Sequence, residues 1–401
     1  MIRILWYPEL SSWNKQTDKV ILSADSNGLV LYGFLKFFDK DTTVTVILPD
    51  TDRIYDCDDI VYKTIEEKAR FIIDIDMFPN SFAQRYTFDF VKLYNLIDLK
   101  NYDVLINNEI SLTRNWRALQ LAQKADKLKI ISWFHFVVFP NDLKVDANIN
   151  YWYRELDGML VSDAIFFQGK AVKDEVIKYL ERNYKNLAKV IRDKCYNVNF
   201  VYSYEDIMEH KIKKSYEKII IIIPNRISIA TRYSSHDLFI KVLNILAKKY
   251  DFEVWFTNIT QSVSTGELKN VCKFKFKNLS ESRVLNRTEY YKKLWEANIV
   301  LVGLQDLHGG ASLREAMAAK CLPIMPYMYE YKNLMPKTYF GYYNFNVNSL
   351  KQSLEKTFEF IKKSSREKIE NLCTVVSTAA FKNCSFEKYA NVVKRTLYNI
   401  I

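Results

Sequence analysis

The chain has 401 residues, 49% hydrophobic and 26% charged, which suits a soluble globular protein of two domains and excludes a disordered or fibrous one. No stretch is long and apolar enough to span a bilayer. Six scattered cysteines and four histidines without paired-ligand spacing argue against a disulfide frame or a structural metal. The formal charge of +11 either attracts a polyanion such as nucleic acid, nucleotide phosphate or an acidic membrane surface, or is only a lysine-rich solvated surface.

The opening MIRILWYPELSSW lacks the basic-then-apolar layout of a signal peptide, so the expected location is cytoplasmic. IRILWYP (2–8) predicts an apolar strand, SADSNG (23–28) a loop, and LVLYGFLKFF (29–38) a helix. TTVTVILP (42–49) is β-branched and predicts a buried strand. FDFVKLYNLIDL then reads as helix, YDVLINN (102–108) as strand, WRALQLAQKADKL as helix and KIISWFHF (129–136) as strand. INYWYRELDGMLVSD is helical, AIFFQ (164–168) a strand, and GKAVKDEVIKYLERNY a further helix. From 183 to 216 the pattern is charged and aperiodic, as in a connection between domains.

A second series begins with the strand EKIIIIIP (217–224) and the helix SSHDLFIKVLNILAKKY. FEVWFTN (252–258) and VCKFKFKN read as strands, RTEYYKKLWEAN as helix, and IVLVGL (299–304) and CLPIMPY (321–327) as strands. The last fifty residues predict three helices, the last over SFEKYANVVKRTLYNI. Strands alternating with helices imply parallel sheets with right-handed crossovers. The expected fold is therefore α/β, with two Rossmann-like domains and a cleft at their strand C-termini. Residues 1–190 form the first domain, 191–375 the second, and 376–401 a C-terminal helix packing back on the first.

The most informative stretch is HGGASLREAMAAKCLP (308–323), which places two of only nine glycines side by side between a strand and a helix. A helix start presents unpaired backbone N–H groups that can receive a phosphate. Gly309 and Gly310 then leave room for the anion, with Ala311 and Ser312 supplying first-turn amides. The plain alternative is a turn that needs positive φ. Glu315, one turn in, either accepts ligand hydroxyls or merely complements the helix dipole.

On these residues the chain resembles nucleotide-sugar glycosyltransferases of the GT-B fold. The stretch RTEYYKKLWEANIVLVGLQDLHGGASLREAMAAKCLPIMP (287–326) is similar to the donor-binding segment of the retaining family-four type. Gly309, Gly310, Glu315, Ala316, Met317, Ala318 and Pro323 match its pattern, and CSFEKYANVVKRTL resembles the family's closing helix. The resemblance implies transfer of a hexose or pentose from a nucleoside diphosphate, UDP being the expected nucleotide, to a hydroxyl with retention at the anomeric carbon. It assigns Glu315 to the ribose hydroxyls. It matches Arg226 in PNRISIATRYSSHD to a pyrophosphate-binding arginine, with Arg232 the nearest substitute for an absent lysine. Guanidinium forks suit a departing diphosphate, so no metal is expected; two solvated loop arginines are the other reading. An earlier family glutamate falls on Leu307, leaving Asp306 or His308 to meet the donor sugar, or His308 as an ordinary turn residue. His135, at a strand end in ISWFHF, matches a histidine placed near the sugar. Gly28 and the Gln168-Gly169-Lys170 turn are further approaches to a ligand, or simply loop glycines.

For the acceptor, the chain is similar in size and order of segments to the DNA glucosyltransferases of T-even-like phages, which act on 5-hydroxymethyl pyrimidines. That implies double-stranded DNA as partner, bound through Lys/Arg contacts to phosphate. KFKFKN (273–278), YWYRE (151–155) and Arg114, Trp116 and Arg117 are basic–aromatic stretches that serve either DNA or an ordinary core and solvated face. A surface-glycan or lipid-linked acceptor and an inactive binding subunit of the same fold are the competing readings.

Overall fold

The computed structural model of the chain describes residues 1–8, 19–24, 26–38, 41–49, 54–75, 90–134, 147–198, 202–227, 236–259, 265–280, 285–303, 310–382 and 386–401. By contact density the chain divides into two compact units, Met1–Val201 with Phe386–Ile401, and Tyr202–Ser385.

The first unit begins with β1 (Ile2–Tyr7), β2 (Lys19–Val20), α1 (Ser26–Phe37), β3 (Thr42–Pro49) and β4 (Ile54–Tyr55). It continues with α2 (Ile60–Lys68), β5 (Arg70–Ile75), α3 (Phe90–Leu96), β6 (Val104–Asn107), α4 (Thr113–Ala122) and β7 (Lys129–Phe134). α5 (Ala147–Val161), β8 (Ala164–Gln168), α6 (Lys170–Asn183), α7 (Lys185–Arg192) and β9 (Cys195–Val198) complete it. Its main sheet is seven-stranded in the order β5-β3-β1-β6-β7-β8-β9, with every pairing parallel. Strand order reverses between β1 and β6, the kind of place where open α/β sheets receive ligands.

The second unit contains α8 (Tyr204–Glu209), β10 (Ile219–Ile227), α9 (His236–Leu246), β11 (Phe252–Ile259), α10 (Thr265–Val271) and β12 (Lys275–Asn278). α11 (Arg287–Glu296), β13 (Ile299–Leu301), α12 (Ala311–Ala318), β14 (Leu322–Pro326), β15 (Tyr342–Tyr343), α13 (Val347–Lys363) and α14 (Arg366–Lys382) follow. The sheet order is β12-β11-β10-β13-β14-β15, again parallel, with its reversal between β10 and β13. β10 is isoleucine-rich because it is central: Ile221, Ile222 and Ile223 are all fully buried. Lys214 fixes the path from α11 into β13. Its buried ammonium donates to the Leu294 and Trp295 carbonyls at 3.0 and 3.1 Å and to that of Ala297. These carbonyls close the helix C-terminus, where a cation is favoured. Burial nevertheless pulls the Lys214 pKa down.

The last helix, α15 (Phe386–Ile400), belongs to the first unit. Phe386 lies edge-on to Tyr32 with ring centroids 5.5 Å apart, and Tyr389 tilts against Trp133 at 5.7 Å. Gly33 makes this docking possible, because a Cβ there would overlap the Phe386 ring. Fully burying each of Phe386, Val393 and Leu397 is worth about 1.5–3 kcal/mol.

Two expectations need correction. The stretch 183–216 is not an aperiodic connection: it holds α7, β9 and α8. β9 pairs with β8, so Cys195–Val198 is the edge strand of the first sheet. α7 spans only eight residues and β9 four, lengths over which a helical or strand period is hard to recognise amid charged neighbours. The segment read as one strand over VCKFKFKN is the end of α10 followed by β12. Among the described residues, no helix is long and apolar enough to cross a membrane.

Candidate functional site

The start of α12 carries the geometry on which the sequence reading centred. Gly310 is its N-cap at φ 50 and ψ 138, with no side-chain cap hydrogen bond. This backbone region disfavours L side chains. Gly310, Ala311 and Ser312 are half-buried, whereas Leu313 is sealed in the core. Among the described residues, the first turn of α12 is thus half-buried rather than sealed and its N-cap supplies no side-chain hydrogen bond, as suits an anion-receiving helix start. They follow β13, beside the reversal of strand order in this sheet.

Deeper in α12, Arg314 and Glu315 are both 1% exposed. They do not pair with each other. Arg314 faces Glu330 at 4.0 Å, and Glu315 Oε1 accepts from Arg287, the first residue of α11. Arg287 also donates to the Tyr291 hydroxyl at 3.2 Å, and its guanidinium lies 5.2 and 5.5 Å from the Tyr291 and Tyr290 rings. Asn286 and Glu289 cap α11 reciprocally, fixing the turn from which Arg287 projects. Burial raises the Glu315 carboxyl above the usual range while Arg287 opposes the rise. For Arg287, burial works against the charge, but the Glu315 carboxylate overcomes it and the pKa rises. Sequence reasoning missed Arg287, Tyr290 and Tyr291; the one local signal was the capping pattern at 286–289.

The other residues singled out from sequence fall as follows. His135, Arg232, Asp306, Leu307, His308 and Gly309 lie outside the described residues. Arg226 stands on β10, its backbone in register with Asn258 after an irregularity beyond Ile223. Gly28 sits in the first turn of α1, where a Cβ would collide with the Leu22 carbonyl oxygen; close backbone approach accounts for that glycine. Gly169 is the N-cap of α6 at φ 114, and its N–H donates to the Phe167 and Val198 carbonyls at 2.9 and 3.1 Å.

The basic–aromatic stretches are largely committed within their own units. Trp116 and Trp152 are core residues. Arg117 binds Asp163 at 2.8 Å and the Val161 carbonyl, and Arg114 binds Asp157 at 3.1 Å. Lys275 pairs with Asp251 and Lys277 with Glu253, at 3.1 and 3.2 Å.

No protein-family model and no curated protein matches the chain. Solved structures do. The catalytic domain of starch synthase IV from Arabidopsis thaliana, bound to ADP and acarbose, superposes with a TM-score of 0.68 at 10% identity, over 100% of this chain and 99% of that one. HepE of Anabaena, in complex with UDP and glucose, gives 0.67 at 10% identity over all of both chains. A glycosyltransferase from Rickettsia africae gives 0.67 at 14%, over 100% and 98%. The fold is GT-B. At these identities the likeness establishes the fold and leaves the activity to be argued from the site.

Proposed function

We propose that the chain is a glycosyltransferase that moves a sugar from a nucleoside diphosphate, with UDP as the nucleotide, to a hydroxyl, retaining the anomeric configuration. The observation that carries this reading is the start of α12: Gly310 at positive φ, no side-chain cap, and half-buried first-turn amides beside the switch in strand order. The diphosphate meets those amides, and Arg226 and Arg232 neutralise the charge that grows on the leaving group. Glu315 takes the ribose hydroxyls while Arg287 holds its other contact. Asp306 or His308 attends the donor sugar, with His135 close to it. GT-B structures holding UDP or ADP support a nucleoside diphosphate, and HepE with UDP supports uridine as the nucleoside. No divalent cation is required, so EDTA should leave transfer unchanged.

The acceptor is a carbohydrate hydroxyl. The +11 charge favours a second reading, 5-hydroxymethyl pyrimidine in double-stranded DNA. Against it, Arg114, Arg117, Lys275 and Lys277 already have acidic partners. Incubation with UDP-sugars and either free glycosides or hydroxymethylated duplex DNA, read by mass spectrometry, separates the two. Transfer to a glycoside supports the first and a glucosylated nucleoside the second. Failure to bind or hydrolyse any nucleoside diphosphate sugar would refute both.

A further inference from the structure

In the second unit, α13 packs into the core through Leu350, Leu354, Phe358 and Ile361. Its opposite face carries Gln352, Glu355, Lys356, Glu359 and Lys363, whose three- and four-residue spacing keeps them on one side of the helix. This face edges a cavity of about 620 Å³, within the range of roughly 300–1,000 Å³ that small-molecule sites occupy. The floor is aromatic. Tyr250, Phe340 and Phe360 line it, the two phenylalanines with ring centroids 5.3 Å apart. Both phenylalanines are only partly buried, so ring surface remains for a ligand to cover. Tyr250 stands just ahead of β11, at the amino end of the sheet, whereas the start of α12 follows the carboxyl end of β13. The cavity is thus separate from the donor site proposed above.

Its polar groups divide into two sets. One is engaged within the protein. Glu359 accepts from the Tyr250 hydroxyl at 2.9 Å and pairs with Lys363 at 2.6 Å. Hydrogen bonds from Lys363 and Tyr250 hold the Glu359 carboxyl below the usual range, and the Lys249 ammonium lies 4.9 Å from the Tyr250 ring centroid. The other set is uncommitted. Glu355 faces Lys249 and Lys351 only at 3.9 Å, too far for a hydrogen bond. Among the described residues, the Gln352 amide and the Lys356 ammonium have no partner. A carboxylate that only accepts, an ammonium that only donates and an amide that does both therefore stand side by side along α13.

We propose that this cavity binds an uncharged carbohydrate chain. Sugar hydroxyls each donate and accept, which matches the mixed set on α13, and the C–H faces of sugar rings can cover the phenylalanine floor and remove apolar surface from water. An anion fits less well. Lys249 and Lys363 already face Glu355 and Glu359, and those carboxylates repel phosphate or sulfate. A purely apolar ligand would strip water from Glu355 and Lys356 and return no hydrogen bond. On the glycosyltransferase reading, the cavity holds a distant part of a glycan acceptor, and this second point of attachment raises the effective concentration of the chain at the transfer site. That use rests on the reading; the binding itself does not.

The test is calorimetric titration of the full chain with malto-, cello-, manno- and chito-oligosaccharides. Inorganic phosphate and a sulfated oligosaccharide serve as anionic probes, and UDP is measured separately. At least one neutral oligosaccharide should bind. Gln352→Ala and Glu355→Ala should each weaken that binding about threefold or more, and the double variant about tenfold or more, with UDP affinity unchanged. Alanine is a good helix former, so these variants should fold and melt with the wild type. The proposal is overturned if no neutral oligosaccharide binds, if only the anionic probes do, or if the double variant binds as tightly as wild type, which would place the sugar elsewhere. Absence of UDP binding with oligosaccharide binding intact would count against the donor reading alone.

Discussion

Replacing Gly310 by alanine separates a ligand-receiving helix start from an ordinary turn. The residue holds φ 50, where an L side chain costs on the order of 1–3 kcal/mol. Nothing else should be lost within the protein, because the nearest described atom to a Cβ at this position is Ser312 Oγ at 3.9 Å. If a diphosphate rests on the α12 amides, the new methyl intrudes on the ligand instead. Displacing one charge-assisted hydrogen bond costs about 1.5–3 kcal/mol, roughly ten- to a hundredfold in affinity. Urea unfolding measures the first quantity and calorimetric titration with UDP the second. G310A is expected to be modestly less stable and to bind UDP at least tenfold more weakly. UDP affinity within twofold of wild type, alongside the expected stability loss, would show that the glycine serves only the turn.

Three further outcomes follow from contacts in the structure. Arg287→Met strands the Glu315 carboxyl beneath the surface; breaking a buried pair in this way costs about 3 kcal/mol, and adding Glu315→Leu should restore much of it in urea unfolding, whereas additive losses would deny the coupling. Gly33→Val places a branched side chain where the Phe386 ring lies, so about 1–3 kcal/mol should be lost and trypsin should cut ahead of α15 sooner; unchanged proteolysis would contradict that docking. Burial pushes the Glu253 carboxyl up, but hydrogen bonds from Lys218, Trp255 and Lys277 prevail and lower it to about 2. Its contribution is therefore present above the ordinary carboxylate pKa and lost as pH falls towards 2. Because both lysines are more than a third exposed, the contribution is discounted to about 2 kcal/mol. Glu253→Gln should flatten the acid limb of the stability profile by that amount, and an unchanged limb would refute the assignment.

The alternation of strands and helices was legible because most core strands here are β-branched or apolar runs, from TTVTVILP to IIIIIP. What escaped was set by position in the sheet rather than by pattern. β9 is a short edge strand, CYNV, with only Val198 buried, and its mixed composition says nothing until β8 lies beside it. The start of α12 could be read from its glycines and from the strand before it. Its partner could not, since Arg287 meets Glu315 across 28 residues of chain, and RTEYY announces a helix start and no more. Asn107 and Asn108 are likewise adjacent and identical in type; only the fold distinguishes the side chain that is hydrogen-bonded from the one that has no partner among the described residues.

The most direct measurement of the central claim is hydrogen exchange of the full chain with and without UDP, resolved by peptide. The account predicts that UDP slows exchange at the amides of 311–315, and that G310A weakens this protection. Binding of UDP with no change at the start of α12, or protection confined to other segments, would contradict it.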